Sequence, residues 1–82
     1  MADDTIFTTI KIEEVDLSGE DTTLIYKVVL QSIFNKYFLT VYRKFDDGWG
    51  LTVNKLDVME TFTREEAENE FKLRCAIYRG EA

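Results

Sequence analysis

Three consecutive segments alternate apolar and polar residues with a period of two. From Thr23 to Phe34, one side collects Leu24, Tyr26, Val28, Leu30 and Phe34. From Tyr37 to Phe45 it collects Tyr37, Leu39, Val41 and Phe45, and from Trp49 to Leu56 it collects Trp49, Leu51 and Val53. Successive side chains of a strand point to opposite faces, so this pattern predicts three half-buried strands. A two-residue turn at Asn35-Lys36 would set Phe34 opposite Tyr37 and Leu30 opposite Val41. A three-residue turn at Asp46-Asp47-Gly48, with Gly48 in the left-handed position, would set Phe45 opposite Trp49 and Val41 opposite Val53. Both turns keep the apolar sets on one face, which a one-residue slip would destroy.

Upstream, Thr5 to Val15 also alternates, with Ile6, Ile10 and Ile12 on one side and Phe7, Thr9, Lys11 and Glu13 on the other. It reads as a first strand, preceded by a frayed acidic start at residues 1–4. Ser18-Gly19-Glu20-Asp21 reads as a polar loop. Downstream, Asp57 to Phe62 either prolongs the fourth strand after a kink or crosses the sheet edge. Thr63-Arg64-Glu65-Glu66 then forms a capping box, in which the Thr63 hydroxyl accepts from the Glu66 amide and the Glu66 carboxylate reaches back to the Thr63 amide. Gly80 ends the helix. On the helical wheel Ala67, Phe71, Cys75 and Tyr78 form one apolar stripe and Leu73 with Ile77 a second. Glu70 and Arg74 lie between them, spaced to pair. The predicted fold is α+β: one domain over residues 1–82, a four-stranded antiparallel β-meander (strands about 5–15, 23–34, 37–45 and 49–56) with one C-terminal α-helix (about 64–79) packed on one face.

Composition narrows the function classes. The 82 residues allow one small core, and the 45% apolar content is ample for it. One cysteine excludes an internal disulfide and a cysteine-based zinc site, which fits a reducing compartment. The N-terminus lacks the pattern of a signal peptide and no apolar run is long enough to span a bilayer, so a cytoplasmic protein with no membrane partner is expected. The net charge of −6 is segregated: residues 1–21 carry −6, residues 22–56 carry +3 and residues 57–82 carry −3. A nucleic-acid binder usually has a basic excess, and here only the central strands lean that way.

Catalysis has little footing. With no histidine the commonest general base is missing. Cys75 lies on an apolar helix stripe, where a buried structural thiol is expected. The carboxylate pairs Glu13-Glu14, Asp46-Asp47 and Glu65-Glu66 sit at a strand end, a turn and a helix start, each a sufficient local reason. Asp46-Asp47-Gly48 lacks the spaced ligands and closing glutamate of a calcium loop. No catalytic residue, metal or cofactor is expected.

Two surfaces remain. If the helix covers one sheet face, the other carries Phe7, Thr9, Lys11, Ile25, Lys27, Val29, Ile33, Phe38, Thr40, Tyr42 and Lys44. That is more apolar than a solvated face, and predicts a protein interface such as a homodimer. Phe7, Lys27, Phe38, Tyr42 and Lys44 could alternatively stack and neutralise a single nucleic-acid strand. The second surface is the acidic set Glu13, Glu14, Asp16, Glu20 and Asp21, which could imitate a phosphate backbone and attract a partner with a basic surface. Gly48-Trp49-Gly50 ahead of a final strand and capped helix resembles the start of a WGR domain, with Leu51 where that family has its arginine. Four antiparallel strands followed by a helix also resemble the coactivator type of single-strand DNA binder, whose basic strand surface is only partly present here. In size and charge the chain is similar to phage-encoded inhibitors of host defence nucleases, including anti-CRISPR proteins. The expected role is therefore a small acidic non-catalytic inhibitor of a basic nucleic-acid-handling partner, with a single-stranded nucleic-acid-binding module as the alternative.

Overall fold

The computed structural model describes residues 8–81. The frayed start, Ile6 and Phe7 lie outside them. Four strands, β1 (Thr8–Asp16), β2 (Thr23–Ile33), β3 (Lys36–Asp46) and β4 (Leu51–Thr61), form one sheet in the order β1-β2-β3-β4 with every neighbour antiparallel. The helix α1 (Arg64–Arg79) packs on one face, completing the expected α+β meander.

The first hairpin turns two residues earlier in register than the alternation suggested. Its turn is Phe34-Asn35, with Ile33 opposite Lys36, so Leu30 pairs with Leu39 and Val28 with Val41. A slip of two keeps every side chain on its face and sets four buried aliphatic residues directly across from one another. It also leaves Phe34 in the turn at φ 57°, a region a bulky residue rarely adopts, with its side chain 85% exposed. Lys36, released from the turn, reaches Glu60 at 3.0 Å.

The second hairpin corrects the expectation more deeply. Asp46 pairs with Leu51, so the loop holds four residues, 47–50, and Val41 does not face Val53. Gly48 and Gly50 both take positive φ (97° and 149°), while the Asp46 and Asp47 carboxylates accept from the amides of Gly48 at 2.8 Å and Trp49 at 3.1 Å. These two successive aspartate turns lengthen the loop past the three-residue form. The offset from the expected register is odd, so the start of β4 is inverted. Leu51 and Val53 lie beside Asp46 and Lys44 on the helix-free face, and Val53 is 57% exposed.

A bulge restores the parity. Tyr42 pairs with Lys55 but Val41 pairs with Asp57, which leaves Leu56 as the extra residue of β4. Beyond it Asp57, Met59 and Thr61 share the helix face, so residues 57–61 continue the strand after a kink. A second bulge at Ile10 in β1 lets Thr9 pair with Gln31 and Lys11 with Leu30. The expected first-strand faces therefore do not hold. Ile10 packs against the core, Ile12 moves to the helix-free face, and Lys11 sits on the helix face with its ammonium 5.8 Å from the Phe71 ring centroid.

Thr63 caps α1 as expected: its hydroxyl accepts from the Glu66 amide at 3.2 Å. The return contact differs, because the Glu66 carboxylate meets the Thr63 hydroxyl rather than the Thr63 amide. Gly80, at φ 80°, closes the other end, with its amide donating to Ile77 and that of Glu81 to Ala76. Ala67, Phe71 and Cys75 of the predicted stripe enter a core with Val28, Leu30, Leu39 and Val41. Tyr78 stacks on Tyr26 at 4.3 Å, and the second stripe, Leu73 and Ile77, stays exposed. Arg74 bonds Asp57 of β4 at 2.6 Å instead of pairing with Glu70, and Arg79 pairs with Glu13 of β1. The helix is thus tied to both edge strands.

Two outcomes test this architecture. Val41→Asp places an uncompensated carboxylate at a 1%-exposed site between Val28 and Asp57, and should abolish the cooperative thermal transition, since the cost of several kcal/mol rivals the stability of a domain this small. Phe34→Gly should raise stability by about 1 kcal/mol in urea titration, because it relieves the positive φ while removing a side chain that is already exposed. An unchanged or lower midpoint would contradict the Phe34-Asn35 turn.

Candidate functional site: an anionic sheet end and a helix-free face

An antiparallel meander sends its first and third loops to the same end. Here the loop 17–22 between β1 and β2 lies at the same end as the loop 47–50 between β3 and β4, since Thr23 pairs with Asp46. That end carries Asp16, Glu20, Asp21, Asp46 and Asp47, and no lysine or arginine occurs within 12–26 or 45–54. Trp49, in the 47–50 loop at the same end, is 92% exposed, and Leu17 and Leu51 are also exposed.

The loops holding the acids are well bonded. Asp16 Oδ1 accepts from the Ser18 amide at 2.9 Å, the Ser18 hydroxyl accepts from the Leu24 amide at 3.0 Å, and Gly19 donates to the Thr22 carbonyl at 2.9 Å. Hydrogen bonding from the Ser18 side chain, then from its amide, holds the Asp16 carboxyl below the usual aspartate range. Asp16, Asp46 and Asp47 each have one carboxylate oxygen fixed by a backbone amide.

The acidic set expected from sequence does not converge. Glu13 lies on the helix face, paired with Arg79, while Glu14 points from the helix-free face beside its cross-strand partner Lys27. Asp16, Glu20 and Asp21 reach the common end, where Asp46 and Asp47 join them. From the sequence alone those two read only as turn residues. The signal that could have found them is topological, because a predicted meander already places both loops together.

The helix-free face is built in cross-strand rows. One runs Ile12–Val29–Thr40–Val58 and the next Glu14–Lys27–Tyr42–Lys55. Val29 and Thr40 are only 6% exposed although no element among the described residues covers this face. A groove of about 430 Å³ runs over it, lined by Ile12, Ile25, Lys27, Tyr42, Lys44 and Val53 among others. Of the residues expected here, Lys27, Phe38, Tyr42 and Lys44 are present, Lys11 is not, and Phe7 lies outside the described residues. Ile12, Val53 and Lys55 were missed because each owes its face to a bulge or to the longer loop, and Val58 because the sequence leaves 57–62 as either strand or crossover.

The Cys75 thiol is buried in the core and desolvation pushes its pKa up, which disfavours the thiolate. Among the described residues no group of three or more Asp, Glu, His or Cys is placed to hold a metal ion, and no helix is long and apolar enough to cross a membrane. No protein-family model, curated protein or solved structure matches the chain.

The Asp16 bonds give a titration test. A carboxyl whose folded pKa is depressed contributes stability above its unfolded pKa and loses it as pH falls through the folded value. In an NMR pH titration Asp16 should therefore titrate below the ordinary value of about 3.9, and Ser18→Ala should move it upward. An ordinary midpoint in the wild type would refute the Ser18 contact.

Proposed function

We propose that the protein is a small acidic, non-catalytic interaction protein that occupies the basic surface of a nucleic-acid-handling partner in the cytoplasm, in the manner of phage-encoded inhibitors of defence nucleases. The observation that carries this reading is the placement of Asp16, Glu20, Asp21, Asp46 and Asp47 at one end of the sheet, which also bears the exposed Trp49, with no cation in the two segments that form it. A single-sign surface accelerates encounter with an opposite one, and suppresses like-charged competitors such as nucleic acid. Carboxylates already fixed by backbone amides lose little further entropy on binding. Trp49 supplies the large, amphipathic side chain that commonly anchors such an interface. The proposal also includes a homodimer formed through the helix-free face.

The alternative of a single-stranded nucleic-acid module has one observation in its favour: Lys27, Tyr42 and Lys44 line the same groove. Glu14 lines it as well, and the net charge of −6 opposes a polyanion.

The two readings respond oppositely to the same substitutions. Capture from host lysate with mass spectrometry identifies the partner, and the purified pair is then titrated at several salt concentrations. Glu20→Gln and Asp21→Asn together with Asp16→Asn, which keeps the acceptor oxygen, should weaken binding and flatten its salt dependence. The partner should also lose its nucleic acid as the protein is added. A fluorescent oligonucleotide binding the wild type with micromolar affinity or tighter at low salt, and failing to bind Lys27→Gln/Lys44→Gln, would establish the alternative instead.

A further inference from the structure

We infer that two copies of the chain pack helix-free face to helix-free face about a two-fold axis parallel to the strands, with Glu14 of each copy meeting Lys55 of the other. This rests on the reading of that face as a homodimer interface and adds its geometry. A two-fold lying in the interface plane along the strands reverses the strand order of the second copy, so β1 of one lies over β4 of the other and β2 over β3. Rows of side chains then meet their own mirror order.

The two central rows are complementary to themselves under that operation. In the row Glu14–Lys27–Tyr42–Lys55, a carboxylate at the β1 end meets an ammonium at the β4 end, twice over. Within the same row Lys27 of each copy lies over Tyr42 of the other, an arrangement that suits a cation above an aromatic ring. In the row Ile12–Val29–Thr40–Val58, the two half-exposed aliphatic residues Ile12 and Val58 meet each other, and Val29 meets Thr40. A closed two-fold contact of this kind needs a patch that complements itself, and these rows supply one.

The area is also adequate. Four strands of up to 11 residues offer a face of roughly 19 by 36 Å, or about 700 Å² per copy, near the ~800 Å² per partner of a standard interface. The molecule is only 15 Å thick along its shortest axis, one sheet and one helix deep, so a second sheet at a spacing of about 10 Å would give the layer pair a β-sandwich has.

Sedimentation equilibrium on the wild type should give twice the 9.6 kDa mass of one chain at tens of micromolar. Glu14→Lys and Lys55→Glu should each raise the dissociation constant by roughly tenfold or more, and the double swap Glu14→Lys/Lys55→Glu should restore most of the loss. Ile12→Glu and Val58→Glu, at exposed positions outside the core, should give monomers with a wild-type circular dichroism spectrum. A monomeric wild type at these concentrations would overturn the self-association altogether. A dimer indifferent to the charge swaps and to Ile12→Glu would leave a dimer but overturn this geometry. Glu20→Gln/Asp21→Asn should leave the mass unchanged, since those residues lie at the sheet end rather than in the two rows, so the acidic-end reading stands or falls separately.

Discussion

The seating of Ala67, Phe71 and Cys75 on the Leu30–Leu39 and Val28–Val41 pairs is the contact on which the rest of the structure depends. So small a chain has one place to bury a sizeable apolar surface, and these seven residues occupy it. Every other arrangement in the fold follows from keeping the correct sides of four strands toward that seat. The helix must start over the Tyr37 end, so its cap falls at Thr63. It must finish over Tyr26, so Tyr78 stacks there. Arg79 and Arg74 then fall within reach of the two edge strands, where Glu13 and Asp57 receive them.

How far the chain could be read in advance follows from which rule governs each element. Strand identity, strand order and the helix with both caps were legible, because period-two alternation, short turns and a capping box are local signals. The face of each β2 and β3 residue was also legible, since a register error of two leaves parity intact. β4 was not, and Trp49, Leu51 and Val53 show why. Their alternation matched a buried strand perfectly, yet Asp46 and Asp47 build a longer loop through their own hydrogen bonds, and the odd offset turns the set outward. Ile10 and Leu56 defeat pattern reading for a related reason. A bulge leaves no gap in the alternation of types and depends on tertiary contacts, here Ile10 against the core that holds Phe71 and Asp57, next to Leu56, against Arg74 of α1. The candidate surfaces inherited these errors: Lys11 moved off the open face, Ile12 and Val53 moved onto it, and the acidic set divided between Arg79, Lys27 and the loop end.

The resulting molecule keeps its acidic loop end apart from its open sheet face. Most cations lie on the strands, where Lys36 pairs with Glu60. The loop end keeps carboxylates without such neighbours in its own segments, and holds several of them by backbone amides. The open sheet face joins aliphatic residues to a row whose charges run from acidic at β1 to basic at β4. The proposed contacts, a basic partner at the loop end and a second copy on the open face, do not compete for the same residues, so both could exist in one assembly.

The two bulges have one more effect. A four-stranded open sheet has two free margins, β1 and β4, each a template on which a further strand could add without limit. The Ile10 bulge interrupts the first and the Leu56 bulge the second, so neither margin presents an unbroken run of evenly spaced backbone donors and acceptors. A chain without a single proline, carrying exposed Leu51, Val53 and Val58 along its last strand, would otherwise be a candidate for runaway lateral growth. The irregularities that turn the correct side chains toward the helix thus also make both margins poor templates for a further strand.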